Sequence, residues 1–408
     1  MHSDKALILI ILLGLFIRLY FVPIAGFKID VTDWASWSDR LNNVGYSNFY
    51  SKDIFSDYAP GYMYVLNFLG NIKNLFHLNN SFFYMLLKLP AIISDLILGL
   101  LIYKEISKYT SIFYSRLGIL FIYLNPALIF NSAIWGQIDS VPILPLFLAI
   151  IYLKRKKLIL SSLCFGLAFL IKPQSIAILP VYCLFLNKNF SIKNLIKITL
   201  PFLLVISLLS IPFFKTNPLI ELWLLIQNSA NQYPYLSLFA YNFWGALGFW
   251  VPDTKVWIWE FTYQKTGYIL LSIYWMIISY LFIKKKISLY AISTLSLLGF
   301  FFLSTRIHER YLYPSIILLT FFSIYAKSRI LLLLTIVLSS IHFLNLYYVY
   351  VYYNELYFKL PKVLYNSNLY NFLEDNGKLL AILSTLIFFA ITWVIIKSKH
   401  AYKQSLKF

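Results

Sequence analysis

With 408 residues, of which 60 % are hydrophobic and only 12 % charged, and a mean hydropathy of +0.72, the chain is too apolar for a soluble domain, which carries roughly a quarter charged residues. Continuous apolar runs of membrane-crossing length recur along it, which predicts an all-α, polytopic transmembrane helical bundle and argues against an alternating, porin-like barrel. The net charge of +19 raises nucleic acid as a partner, but the placement of the basic residues argues for no nucleic acid and for a topology signal instead.

In chain order, the first apolar run, Ala6 to Ile24, follows a short head with Lys5 and lacks a small-residue cleavage site, so it reads as an uncleaved signal anchor. About twelve spans are predicted, with eleven to thirteen as the range: near 6–24, 82–103, 117–134, 140–153, 158–171, 174–186, 198–214, 267–283, 287–304, 311–325, 330–353 and 379–396. With both termini cytoplasmic, the inside connections hold Lys104, Lys108, Arg116, the Lys154 to Lys157 run, Lys188, Lys193, Lys197, Lys284 to Lys286, Lys327, Arg329, Lys397, Lys399, Lys403 and Lys407, against the acids Asp4 and Glu105. Acids and bases balance outside, and Arg18, Lys88 and Asp95 remain within spans.

This threading leaves a long first outer loop, 25–81. Gly61 to Phe76 is apolar enough to cross the bilayer, but a crossing there would turn every later basic loop outward. It is therefore expected to lie along the outer interface. Trp34, Trp37 and Leu41, spaced three and four apart, mark another helix in the same loop. No linker or repeat divides the chain, so it reads as a single domain, 1–408, with C-terminal transmembrane helices over 326–408. Cys164 and Cys183 fall in predicted spans and read as inert core thiols.

Four polar turns collect on the outer side. In the first loop Asp30 precedes Trp34 by one turn; it is either an N-cap, a role Thr32 could also fill, or a carboxylate held at the membrane surface as a general base, with Asp33 its rival. Asp57-Tyr58-Ala59-Pro60-Gly61-Tyr62 marks a rigid turn. Trp135-Gly136-Gln137-Ile138-Asp139 opens a span, with Asp139 either a helix cap or a site residue. Lys172-Pro173-Gln174 offers a cation that could snorkel or bind a lipid phosphate. Arg306, His308, Glu309 and Arg310 then crowd one turn between two apolar runs, an expensive placement unless it faces water or a polar substrate. His308 and Glu309 alone do not make a metal ligand set. The aromatic, amide-rich stretch Asn228 to Trp250 suits either sugar stacking or interfacial anchoring.

In this order these pieces resemble the GT-C superfamily of polytopic membrane glycosyltransferases, and most nearly the prokaryotic GPI-mannosyltransferase-like integral membrane proteins. The resemblance rests on Asp30 with Trp37-Ser38-Asp39-Arg40-Leu41, Asn48-Phe49-Tyr50, Asp57 to Tyr62, Lys88-Leu89-Pro90, Asn125-Pro126, Trp135 to Ser140, Lys172-Pro173-Gln174 and His308-Glu309-Arg310-Tyr311. It covers residues 6 to 325, which it marks as the catalytic module; Ala59 stands where the family usually has a second proline. It implies a polyprenyl-phosphate-linked sugar donor, a hydroxyl acceptor carried by a lipid, glycan or protein, transfer on the extracytoplasmic face, and Asp30 as the catalytic base. The donor phosphate and substrate would then be held by Lys172, Gln174, Arg306, His308, Glu309, Arg310, Gln137, Asp139 and Tyr58. A divalent metal occurs in some relatives, but no cofactor or metal is required by these residues. The alternatives are a transporter or flippase of polyprenyl-linked sugars, or an O-antigen polymerase or ligase. The first would be expected to show paired halves, and none are found. The second would be expected to carry arginines in the large later loop, and Ser229 to Lys265 has none.

Overall fold

The computed structural model describes residues 5–51, 55–285 and 287–398; of the basic and acidic positions used for the topology, Asp4, Lys286, Lys399, Lys403 and Lys407 lie outside them. Helix makes up 77 % of the fold, in the order α1 Lys5–Phe21, α2 Lys28–Val44, α3 Pro60–Leu75, α4 Asn80–Ile106, α5 Ile112–Tyr123, α6 Pro126–Ile129, α7 Ser140–Lys154, α8 Leu158–Ile171, α9 Leu179–Lys188, α10 Ile192–Ser210, α11 Pro218–Asn231, α12 Phe243–Leu247, α13 Tyr263–Lys285, α14 Leu289–Leu303, α15 Tyr313–Tyr325, α16 Arg329–Tyr350 and α17 Ser367–Lys397. Among the described residues the sheet is confined to two short pairs. Strand β1 (Ser237–Leu238) runs parallel to β4 (Ile307–His308), and β2 (Val256–Ile258) is antiparallel to β3 (Phe261–Thr262).

Among the described residues, five helices are long and apolar enough to cross a membrane: α4, α10, α13, α16 with its π-helical extension, and α17. The pair α5 and Pro126–Trp135 makes a sixth if its 45° bend lies within one span. Exposed apolar side chains on α10 (Leu200, Leu203, Leu204, Leu208) and on α13 (Met276, Ile277, Tyr280) face outward with no protein cover, as a lipid-facing surface does. The molecule is an integral membrane protein. Helices α14 and α15 are shorter and buried on nearly every side, which is why they are apolar all round.

The 117–134 run, expected as one span, is bent by 45° at a break. Pro126 cannot donate a backbone N–H, and Asn125 accepts from the N–H groups of Ala127 and Leu128, so a new helix starts there. The chain then passes through a π-helical turn, Phe130–Trp135, and ends at Gly136 in the left-handed region (φ 83°). The 174–186 run likewise begins as a 3-10 turn, Pro173–Ile178, and only then becomes α9. Helix α3 is not among the helices long and apolar enough to cross. It packs on α2, and a Cβ on Gly61 would lie 2.6 Å from the backbone carbon of Leu170, so glycine lets α3 meet the end of α8. Cys164 is half-buried against the core, whereas Cys183 is exposed and not the core thiol expected, because α9 turns it away from its packed face.

The three ionic residues left inside spans have partners. Arg18 is fully buried, and its Nε donates to Asp95 Oδ2 at 3.0 Å, while its other nitrogens donate to the carbonyls of Gly14, Ile122 and Tyr123. Asp95 also accepts from Ser132 at 2.7 Å and from the Tyr313 hydroxyl. Lys88 Nζ donates to the carbonyls of Val22, Ile24 and Ala133, which closes the end of α1 and the π-helical turn. Arg18 and Asp95 thus pair with each other, and Lys88 is held by backbone carbonyls alone, the two ways in which charges are kept inside a bundle.

Candidate active site

A cleft of about 280 Å³ opens between α2, the loop at 55–58, the 233–250 segment, the turn before α15 and the end of α16. Its aromatic lining comes from Phe27, Trp34, Trp37, Phe55, Tyr58, Tyr233, Phe239, Trp250 and Tyr353; its ionisable lining is Asp30, Asp33, Asp57, His308, Glu309 and Arg310. Trp34 and Trp37 are not interfacial anchors. They are buried between α2 and α3 and form the floor.

Asp30 sits in the first turn of α2, where the helix end favours a negative charge. The N-cap is Phe27, and Asp30 makes no capping bond. Instead its Oδ2 accepts from Trp135 Nε1 at 2.8 Å and from Gln137 Nε2 at 2.7 Å. The start of α2 is itself clamped: Phe27 N–H donates to the Trp135 carbonyl at 2.8 Å, the Phe27 and Trp135 rings stack at 4.2 Å, and Asn354 bonds both the Lys28 N–H and the Gly26 carbonyl. Two donors on one oxygen fix the carboxylate in place and leave the other oxygen free of these bonds.

Asp33 follows one turn later on the same face. Among the described residues it accepts no side-chain hydrogen bond; burial, with repulsion from Asp30 and Asp57, pushes its carboxyl up from 3.8 to about 6. Burial also raises Asp57, against an opposing pull from Arg310. A carboxyl raised on folding costs nothing below about pH 4, where both states are protonated, and weakens the fold as pH rises through about 6. Asp33→Asn should therefore raise the melting temperature above pH 6.5 and leave it unchanged at pH 4, which thermal unfolding in detergent at the two pH values will read.

The opposite wall is set by backbone pairing. Strand β4 pairs with β1, and the Arg306 N–H donates to the Tyr235 carbonyl, so the turn carrying His308 to Arg310 is stitched to the aromatic segment. Arg310 Nη1 donates to Glu309 Oε1 at 3.1 Å and lies 3.3 Å from His308 Nδ1. Burial, then Arg310 and Lys172, hold His308 well below its usual range, so it is neutral at pH 7 and can donate through Nε2. Burial raises Glu309, opposed by Arg310. Arg310 lines the cleft, and its buried Nε has no partner among the described residues.

Not every expected residue reaches the cleft. Arg306 does not; this corrects its expected place beside a donor phosphate. Its backbone turns through φ 62°, and its side chain grips Asp253, through Nε at 2.8 Å and Nη2 at 3.2 Å, together with the Ala230 carbonyl and Asn231. It fastens the aromatic segment. Lys172, Asp139 and Gln174 line a separate, narrower cavity of about 30 Å³ beside it. Asp139 stands at the start of α7 without a capping bond; its carboxylate pairs with Lys172 and accepts from Asn131 at 3.0 Å. Gln137 joins the two compartments, since its Oε1 accepts from the Tyr58 hydroxyl at 3.2 Å and lies 3.4 Å from Lys172 Nζ. Gln174 donates to the Tyr311 hydroxyl at 2.9 Å.

Val349, Tyr353 and Asn354 are not among the residues expected at the site, because 330–353 reads as one apolar span of the C-terminal helices, and the aromatic 347–353 run closes that span. The signal was the polar Asn354 directly after that run: the helix passes into a π-helical segment, Val351–Tyr357, that turns Asn354 inward. Among the described residues, no three His, Cys, Asp or Glu side chains are grouped to hold a metal ion.

Fold and site together define an integral membrane protein with a carboxylate-bearing, aromatic-walled cleft. No family model matches the chain, and no curated protein matches it either.

Proposed function

We propose that this chain is a membrane glycosyltransferase that moves a hexose, mannose by its motif resemblance, from a polyprenyl-phosphate donor to a hydroxyl acceptor. One observation carries the reading. Asp30, fixed through one oxygen by Trp135 and Gln137, shares an aromatic-walled cleft with Arg310, whose Nε is unpartnered. A base and a guanidinium facing one cavity suit a reaction in which a hydroxyl is deprotonated while a phosphate departs. The proposed topology is about twelve spans, with both termini inside and the cleft at the extracytoplasmic face, where the 25–81 loop lays α2 and α3 along the interface.

In the proposed reaction, Asp30 removes the proton of the acceptor hydroxyl. The oxygen attacks the anomeric carbon from the face opposite the phosphate, and the bond to the phosphate oxygen breaks with its electron pair. A single displacement of this kind inverts the anomeric centre, so a β-linked donor yields an α-linked product. Arg310 and the Nε2–H of neutral His308 receive the leaving phosphate, and Glu309 holds Arg310 in place. Lys172 and Asp139 act at one remove, through Gln137. The aromatic wall stacks on sugar faces.

Purified protein supplied with synthetic polyprenyl-phosphate mannose or glucose and a mixture of glycan and lipid acceptors should release polyprenyl phosphate; failure with both donors rejects the reading. Arg310→Ala should raise the donor KM by about 10- to 100-fold, the worth of a charge-assisted hydrogen bond, with acceptor KM little changed. An unchanged donor KM would remove Arg310 from the phosphate.

A further inference from the structure

Asp30 must lose the proton it has taken before the next acceptor can react, and the bonds around it leave a direction for that proton. Its Oδ2 already accepts two N–H groups, from Trp135 and Gln137, so an incoming proton goes to Oδ1. Asp33, three residues on, lies on the same face of α2, where such neighbours stand about 5–6 Å apart at Cβ. Both carboxylates line the cleft. Asp33 accepts no side-chain hydrogen bond among the described residues and is only half-buried, in a cleft whose lining includes the 47 % exposed Phe55.

We propose that Asp33 is the second proton carrier of this cleft, taking the proton from Asp30 after glycosyl transfer and passing it to solvent. The inference rests on the glycosyltransferase reading and supplies a step that reading leaves open. The balance is simple. The acceptor O–H bond breaks and an Asp30 Oδ1–H bond forms during transfer; the same proton then moves to an Asp33 oxygen, directly or through one water, and from there to bulk water. Nothing is oxidised or reduced.

The surroundings give the transfer its direction. Asp30 gives one oxygen to two N–H donors, while Asp33 accepts none among the described residues and faces Asp30 on its own helix, Asp57 from the first loop and Tyr233 from the aromatic segment. Across the cleft Arg310, paired with Glu309, adds no pull on Asp33 against burial, Asp30 and Asp57, and His308 is neutral. Burial, with Asp30 and Asp57, therefore lets Asp33 hold a proton more readily than a free carboxyl does. With its carboxyl held at about 6, Asp33 is ionised and able to accept above that pH, and becomes filled as pH falls through it.

The test is turnover between pH 4.5 and 8.5 for the wild type, Asp33→Asn and Asp33→Glu, with thermal unfolding to check that each variant is folded. Wild-type kcat should fall as pH drops through about 6. Asp33→Asn should lower kcat at pH 7.5 by about tenfold, the low end for an assisted proton transfer, with acceptor KM unchanged. The limb near pH 6 should disappear, and added formate should restore part of the rate. Asp33→Glu should keep the limb. A merely structural Asp33 would not answer to formate. If Asp30→Asn is inactive while Asp33→Asn keeps the wild-type kcat and limb, or loses rate that formate cannot restore, the carrier role alone is overturned. If Asp30→Asn turns over as well as the wild type, the base assignment falls and the carrier role with it.

Discussion

Asp30→Asn will abolish glycosyl transfer, lowering kcat by about 10³-fold, within the range a positioned general base contributes, while leaving the protein as stable as before. The reason lies in which oxygen is already used. Trp135 Nε1 and Gln137 Nε2 both donate to Oδ2 at under 3 Å, and an asparagine satisfies both by placing its carbonyl oxygen there. Its NH2 group then replaces Oδ1, the atom that would take the proton. The substitution keeps the clamp and removes the chemistry. Release of polyprenyl phosphate, followed beside thermal unfolding in the same detergent, separates the two. An Asp30→Asn protein that folds and turns over at the wild-type rate would send the search for the base to Asp33 or Asp57, the other unbridged carboxylates on the cleft.

Membrane character was legible because apolar runs are long and charges few; α8 begins and ends where its apolar run does. What escaped was whatever depended on a distant partner. Asn125-Pro126 looks like an interruption inside one apolar run, yet its cap and missing N–H are enough to bend the chain by 45°. Arg306 belongs to the same charged run as Arg310, but a left-handed backbone turn sends it to Asp253, whose 53-residue separation hides the pair from any local reading. Asp139 occupies a cap position and spends its carboxylate on Lys172 instead, because a buried ammonium gains more from a carboxylate than a backbone N–H does. Asp30 and the turn at His308 to Arg310 were found because polar groups are costly amid apolar runs; their meeting in one cleft depends on the β1–β4 pairing, a contact between two-residue strands too short to leave a pattern.

Asp95→Ala should lower stability by about 3–5 kcal/mol, the usual cost of leaving one half of a buried ion pair unmatched. Asp95 joins four elements at once: Arg18 of α1, Ser132 of the π-helical turn, Tyr313 of α15 and its own α4. Removing it strands a guanidinium that is fully buried and cannot reach water. The carbonyls of Gly14, Ile122 and Tyr123 still accept from Arg18, but no anion remains to offset its charge. Arg18→Met combined with Asp95→Leu should recover most of the loss, because the pair's favourable attraction is largely offset by the cost of burying both charges. Thermal unfolding in a mild detergent, run on Arg18→Met, Asp95→Leu and the double, gives the coupling directly. If the double variant is as unstable as Asp95→Ala alone, the damage lies in the hydrogen bonds of Ser132 and Tyr313 and not in the stranded charge. The π-helical turn that presents Trp135 to Asp30 is anchored by this same carboxylate, so Asp95→Ala should also reduce transfer in the fraction that remains folded, whereas Lys73→Ala, which breaks the pair with Asp39 and a contact over the Phe83 ring, none of them lining the cleft, should not.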